Sequence, residues 1–401
     1  MLGISVLHRG AMNLLGLGLL GIFLAGCIST PIVPEVKPKG YSFWPAAPDE
    51  PRIQYLVSFN SSLDIAKEQS GFERAVYGES VEAYSLNKPY GARLWNGCIY
   101  VCDVRAAGVT ILDLRLRQTR IMGGAGQIKI GKAVDLVIAP DGTKYVIDSV
   151  ERAVMVFTPQ ERYRTMYRLS AEANPVGIAL FGDRLYITDF KLAAVRVLDR
   201  NTGSEIMQIG SRGGEDGQFI GPLGVAVDRA GNIFVSDTLK CRVQKFSPDG
   251  TLLSAFGTTG NRPGQFVRPK YMAVGSDDQL HVVDAAFNNV QVFDPQGNVV
   301  GYYGGSGTFP GAMDLPVGID VHETDFDLFA KFVHPAFEVE RLILVASQFG
   351  DQKISIFAMG HLKPGSTIAD TLQGRALTAP GVVPGSQPAT GPAATTAPAK
   401  Q

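Results

Sequence analysis

The chain has 401 residues, 37 basic and 38 acidic, for a formal net charge of -1. That balance supplies no bulk attraction for nucleic acid, and a hydrophobic content of 45% is ordinary for a globular chain. Length alone would allow two or three domains; the pattern along the chain points to one ring with appendages.

At the N-terminus, His8 and Arg9 precede Leu14–Ala25, a run of twelve residues without a charge. That is the length of a signal-peptide core and too short to span a bilayer. The run ends in Leu24-Ala25-Gly26-Cys27, which resembles the bacterial lipobox, where small residues precede a cysteine that is lipidated and becomes the new N-terminus. The resemblance implies a signal peptide over 1–26 and lipid attachment at Cys27. Ile28 stands where Asp would imply retention at the inner membrane, so the same resemblance implies the outer membrane of a Gram-negative envelope. Each methylene buried in lipid contributes about 0.8 kcal/mol, so several acyl chains on one cysteine would hold the protein stably.

Residues 27–51 are dense in proline and read as an extended tether with no helix. Trp44, beside Pro45, is placed to dock on the folded domain. Arg52-Ile-Gln-Tyr-Leu-Val-Ser-Phe59 alternates apolar and polar residues, the signature of a strand. Residues 63–80 read as a short amphipathic helix interrupted at Gly71, with Phe72, Ala75 and Val76 at helical spacing.

From residue 85 to 350 one phrase recurs. A Pro-Val-Gly-like start leads into an apolar strand, a turn, a second strand ending in Asp, and a third ending in Phe or Leu. Pro175, Pro222, Pro269 and Pro316 are spaced by 47 each time. A fixed period in the 40s with short strands means stacked propeller blades. Asp103, Asp148, Asp189, Asp237, Asp284 and finally Ser347 close the second strands, so the count is six blades. An insertion, His322 to Glu340, lengthens the last. That repeat supplies three strands only, Val317–Val321, Arg341–Ser347 and Lys353–Phe357. Arg52–Phe59 is therefore expected to complete it and close the ring, leaving no open sheet edge. The expected domain is a six-bladed β-propeller over 52–360, all-β apart from the short helix before blade one. Residues 361–401, mostly Gly, Ser, Thr, Pro and Ala, form a low-complexity tail expected to be disordered.

The repeats resemble NHL repeats. Blade four carries the phrase almost throughout: Gly217-Gln-Phe219, Pro222, Gly224-Val-Ala-Val-Asp228, Gly231-Asn-Ile-Phe-Val-Ser-Asp237 and Arg242-Val-Gln-Lys-Phe246. Blade five follows with Tyr271-Met272 in place of Gly-Val; the others are degenerate, and blade two has Ala133 in place of Pro. With the leader, the chain is similar to uncharacterised six-bladed envelope lipoproteins of bacteria. The resemblance implies the fold; such propellers serve unrelated functions.

The recurring Asp residues read as architecture, accepting backbone hydrogen bonds where the second strand turns into the third. Cys98 and Cys102 lie about 13 Å apart on one expected strand, beyond disulfide reach, and Cys241 belongs to another blade. Binding residues of a propeller belong on the loops at one end of the channel. There the chain offers Arg105, Arg152, Lys191, Lys240 and Asn288. Four cations on successive blades would attract an anionic group at the channel mouth. The expected function is a lipid-anchored envelope scaffold, non-catalytic, binding an envelope protein or an anionic ligand, with no cofactor and no nucleic acid. The alternative is a lyase or lactonase-like propeller enzyme with a metal in the channel. Against it, His281, His322, His334 and His361 occupy unrelated positions in the repeat, and no nucleophile motif is present. The acidic run Glu323, Asp325, Asp327 is the remaining place for a cation.

Overall fold

The computed structural model describes residues 41–66, 84–124 and 128–371. Six antiparallel sheets stand around one axis. Blade one is Pro89–Trp95, Cys98–Asp103, Val109–Asp113 and Gln118–Met122, in that spatial order, and blades two to five repeat it. The six first strands, Pro89–Trp95, Ala133–Ile138, Pro175–Phe181, Pro222–Val227, Pro269–Val274 and Pro316–His322, touch one another in a closed circuit, which makes them innermost. Second strands such as Cys98–Asp103 and Lys144–Asp148 are buried at every residue. Each has a strand on both edges and a neighbouring blade on both faces, so it reads as a continuous apolar run and not as an alternation.

The core consists of six apolar layers, one between each pair of adjacent blades. Blade six joins the two ends of the fold. Pro316–His322, Phe337–Ser347 and Ile354–Leu362 pair in order, and Ile53–Phe59 adds antiparallel to Ile354–Leu362. The ring is closed by the N-terminal strand. That strand buries Ile53 against blade five and Leu56 and Phe59 against blade one. Gln54, fully buried, donates to Phe332 O at 2.8 Å and accepts from His334 N at 3.0 Å, tying the strand to the blade-six insertion.

Several expectations need adjustment. The propeller starts inside the expected tether: Phe43–Trp44 pairs with Ile53 and Gln54 as a fifth strand of blade six, and both aromatics are buried. Trp44 packs edge-on against Phe357 and over Gly311, where a methyl group would sit 2.7 Å from the indole. Of the expected helix over 63–80, a single 3₁₀ turn at Ser62–Asp64, capped by Ser61, is described, and residues 67–83 lie outside the described residues. The one α-helical turn among the described residues is Ile368–Thr371, inside the expected tail. The last strand runs to Leu362, and the blade-six insertion holds two 3₁₀ turns before its second strand begins at Phe337. Cys98, Cys102 and Cys241 are buried free thiols. Among the described residues no helix is long and apolar enough to cross a membrane.

Candidate functional site on the loop face

Because every blade has the same strand order, the turns between second and third strands and the connections between blades emerge on one face of the ring. The second-strand aspartates build that face. Asp103 accepts hydrogen bonds from the N–H groups of Asn87, Lys88 and Arg105. Asp148 does so from Gly131, Lys132 and Val150, and Asp284 from Val267, Arg268 and Ala286. Asp189 and Asp237 serve the same connections in blades three and four. All five are fully buried. One carboxylate thus fixes the chain entering the first strand and, in most blades, the turn leaving the second. The turns also share a backbone form: the residue before each third strand, Gly108, Arg152, Ala193, Cys241 or Asn288, has φ between 51° and 94°.

Arg105, Arg152, Lys191 and Lys240 are exposed on these turns, as expected, with Lys191 and Lys240 at the tips and Arg152 at the positive-φ position of its turn, and they stand one strand or more out from the axis. The cations nearest the channel, which the sequence reading passed over, are Lys88, Lys132 and Arg268, each immediately before a first strand. Apolar side chains share the tips: Val150 is 61% exposed, Leu239 60%, Phe349 43% and Leu192 36%. Lys88 and Lys353 bring their amines to 5.5 and 5.8 Å from the Phe349 ring centre.

Asn288 is a structural residue. Blade six has Ser347 where the others have Asp, so the N–H before Pro316 lacks its usual acceptor. Asn288 Oδ1, from blade five, accepts that Leu315 N–H at 2.9 Å, and its Nδ2 donates to Ser306 Oγ. Cys27 lies outside the described residues.

Both faces carry charges that are satisfied and charges that are not. On the opposite face Arg115 pairs with Asp325 and Asp327 at 2.8 Å each, Arg229 with Asp278 at 3.0 Å, Arg341 with Asp277 at 3.2 Å, and Arg200 with Asp183 at 3.0 Å, while the exposed Arg117, Arg162 and Lys331 are in no ion pair among the described residues. On the loop face Lys191 pairs with Glu172, Arg242 with Asp216 at 2.6 Å and Arg168 with Glu151 at 3.4 Å. Lys88, Arg105, Lys132, Arg152, Lys240 and Arg268 make no ion pair among the described residues. The pairings also settle the acidic run. Arg115 engages Asp325 and Asp327 and holds Asp327 below the usual carboxylate range, while Glu323 accepts Ser276 N–H at 3.0 Å.

The axis is filled by side chains. Tyr271 of blade five donates its hydroxyl to Val176 O of blade three, and its ring meets Tyr90 of blade one edge-on at 5.8 Å. Blades one, three and five are not neighbours, so these contacts pass across the centre. Leu223 and Val317 pack into the same cluster. Below it Arg93 lies 3.4 Å from Asp135 and 3.8 Å from Asp320. Asp135 accepts Ile178 N–H and Asp320 accepts Leu94 N–H, each carboxylate joining one first strand to the next. Burial outweighs Arg93 and pushes Asp135 up to about 6. In four blades the equivalent of Asp135 is glycine, since a methyl at Gly224 would sit 2.6 Å from Lys270 O of the adjacent strand. The histidines are dispersed. His281 is buried and held down to about 3, chiefly by desolvation; His322 contacts Asp325, and His361 contacts Glu340. Among the described residues no group of three His, Cys, Asp or Glu side chains is placed to hold a metal ion.

Comparison with known proteins places this geometry. Residues 219–246, most of blade four, match the NHL repeat. Over 53 residues, 13% of this chain, it is 43% identical to Protein wech of Drosophila melanogaster, and the chain spans only 6% of that protein's length. Among solved structures, a protein of unknown function from Bacteroides thetaiotaomicron superposes with a TM-score of 0.55 at 16% identity, covering 77% of this chain and 75% of that one. A gluconolactonase from Xanthomonas campestris superposes with a TM-score of 0.50 at 12% identity, covering 76% and 98%. At these identities the likeness is one of fold.

Proposed function

We propose that this six-bladed propeller is a non-catalytic binding scaffold of the bacterial cell envelope, anchored by lipid on Cys27, that engages a protein or an anionic ligand through its loop face. The observation that carries the reading is the group of exposed loop-face cations that make no ion pair among the described residues, Arg105, Lys132, Arg152, Lys240 and Arg268. Cations left without carboxylates around the ring keep their attraction for an anionic group, whereas Arg115, Arg229 and Arg341 on the opposite face are already paired. The anchor rests on Leu24-Ala25-Gly26-Cys27, and the outer-membrane address on Ile28.

A channel enzyme is the weaker reading. Its reactive groups would have to converge at the axis, and there Tyr90, Val176 and Tyr271 already pack on one another. Arg93, Asp135 and Asp320 are occupied in joining first strands. A test places a photo-crosslinking residue at Leu239 on the loop face or at Leu116 on the opposite face, in cells. Adducts to an envelope component, protein or lipid, are expected from position 239 and not from 116. Equal yields from both positions, or none from either, would count against the loop-face site.

A further inference from the structure

We infer that the loop face docks flat on an anionic lipid bilayer. This rests on the loop-face reading above and names what the face takes. Three observations carry it. The tips of blades one to five share one backbone form, and the blade-six turn emerges on the same face, so the tips form one ring of loops. Val150, Leu192, Leu239 and Phe349 project from four of the six tips: Leu192 follows Lys191, Leu239 precedes Lys240, Phe349 lies between Lys88 and Lys353, and Val150 is separated from Arg152 by Glu151, which pairs with Arg168. The cations are largely unpaired, while the five second-strand carboxylates beneath them are buried and hydrogen-bonded to backbone.

The distribution favours lipid over a protein partner. A protein interface concentrates apolar area in a core with a polar rim. Here single apolar side chains are spread around a ring and interleaved with cations. A bilayer accepts that pattern: the tips enter the headgroup region, and lysine and arginine meet the phosphates. Phe349 between two amines has the amphipathic character of an interfacial aromatic.

The test uses the full chain with Cys27→Ala, which carries no lipid, in co-sedimentation with vesicles of phosphatidylcholine alone or mixed equally with phosphatidylglycerol. Binding is expected about tenfold or more tighter on the anionic vesicles, and largely lost at about 0.5 M salt. Two further variants are made in that chain. One changes Val150, Leu192, Leu239 and Phe349 to Ser; the other changes Arg105, Arg152, Lys191 and Lys240 to Ser. Each should weaken anionic-vesicle binding roughly tenfold, with circular dichroism and melting temperature unchanged, while Leu116→Ser has no effect. If a quadruple variant fails to fold, Leu239→Ser and Lys240→Ser singly should each weaken binding about twofold to threefold. Equal binding by parent and loop-face variants would assign the association to the apolar run at 14–25 and overturn the inference, as would equal affinity for both vesicle types. A chain that ignores vesicles yet crosslinks to protein from position 239 overturns the lipid surface and leaves the scaffold reading standing.

Discussion

Three residues show how position in the ring sets the role of a polar side chain. Asp237 is buried, accepts two backbone N–H groups and lies 3.7 Å from the buried Arg242 guanidinium. Asp237→Ala would strand both N–H groups, while Arg242 keeps Asp216 at 2.6 Å, and chemical denaturation should show a loss of about 2–4 kcal/mol. Asn288→Ala should cost about 1–2 kcal/mol by freeing the Leu315 N–H, with vesicle or partner binding unaffected. Lys270, on an innermost strand, is lowered from 10.5 to about 8 by burial, with Arg268 adding repulsion. Between those values the folded chain binds fewer protons than the unfolded one, so stability rises as pH rises from 8 to 10.5. Lys270→Met should abolish that rise and stabilise the protein at pH 7 by on the order of 1 kcal/mol, allowing for the lysine's partial access to water. Thermal melts at pH 7 and pH 10 would read both effects; a wild-type melt that falls over that window in parallel with the variant would contradict the assignment. The Asp role was legible because it recurs at one offset. Asn288 looked like a loop polar residue because its partner lies 27 residues away, on a neighbouring blade whose own Asp is missing.

At the level of elements, the closing strand decides integrity. Removing residues 28–40, which precede the first strand of the ring at Phe43–Trp44, should leave the melting temperature unchanged. Removing 28–48 deletes the buried Phe43 and Trp44 and should cost about 3–5 kcal/mol. Removing 28–60 also takes out Ile53–Phe59, uncovers the edge of Ile354–Leu362 and should give an aggregating or unfolded product. Three equal melting temperatures would refute closure by this strand. Its existence was readable from alternation in 52–59 and from a last repeat one strand short. The Phe43–Trp44 strand was not, because two residues between prolines carry no periodicity, and only the groove over Gly311 makes them a strand.

For the whole molecule, attachment by lipid and attachment by the loop face differ in salt response. The wild-type chain should stay with the membrane pellet in about 1 M salt, because acyl insertion is not screened. Cys27→Ala should be extracted by that wash; a variant that stays pelleted would count against lipid on Cys27.

Sequence by itself determined the fold of this protein. A period of 47 from blade three to blade six, an Asp ending five of the second strands and a Pro opening five of the first strands are local rules that most blades obey, so they repeat in the chain. It also marked the loops where cations stand. Tertiary structure alone decided which cations are neutralised and what fills the axis. Arg115 meets Asp325 across 210 residues and Tyr271 reaches Val176 across 95. Such contacts form once per molecule, where ring closure brings distant blades together, and a feature that occurs once leaves no period in the sequence.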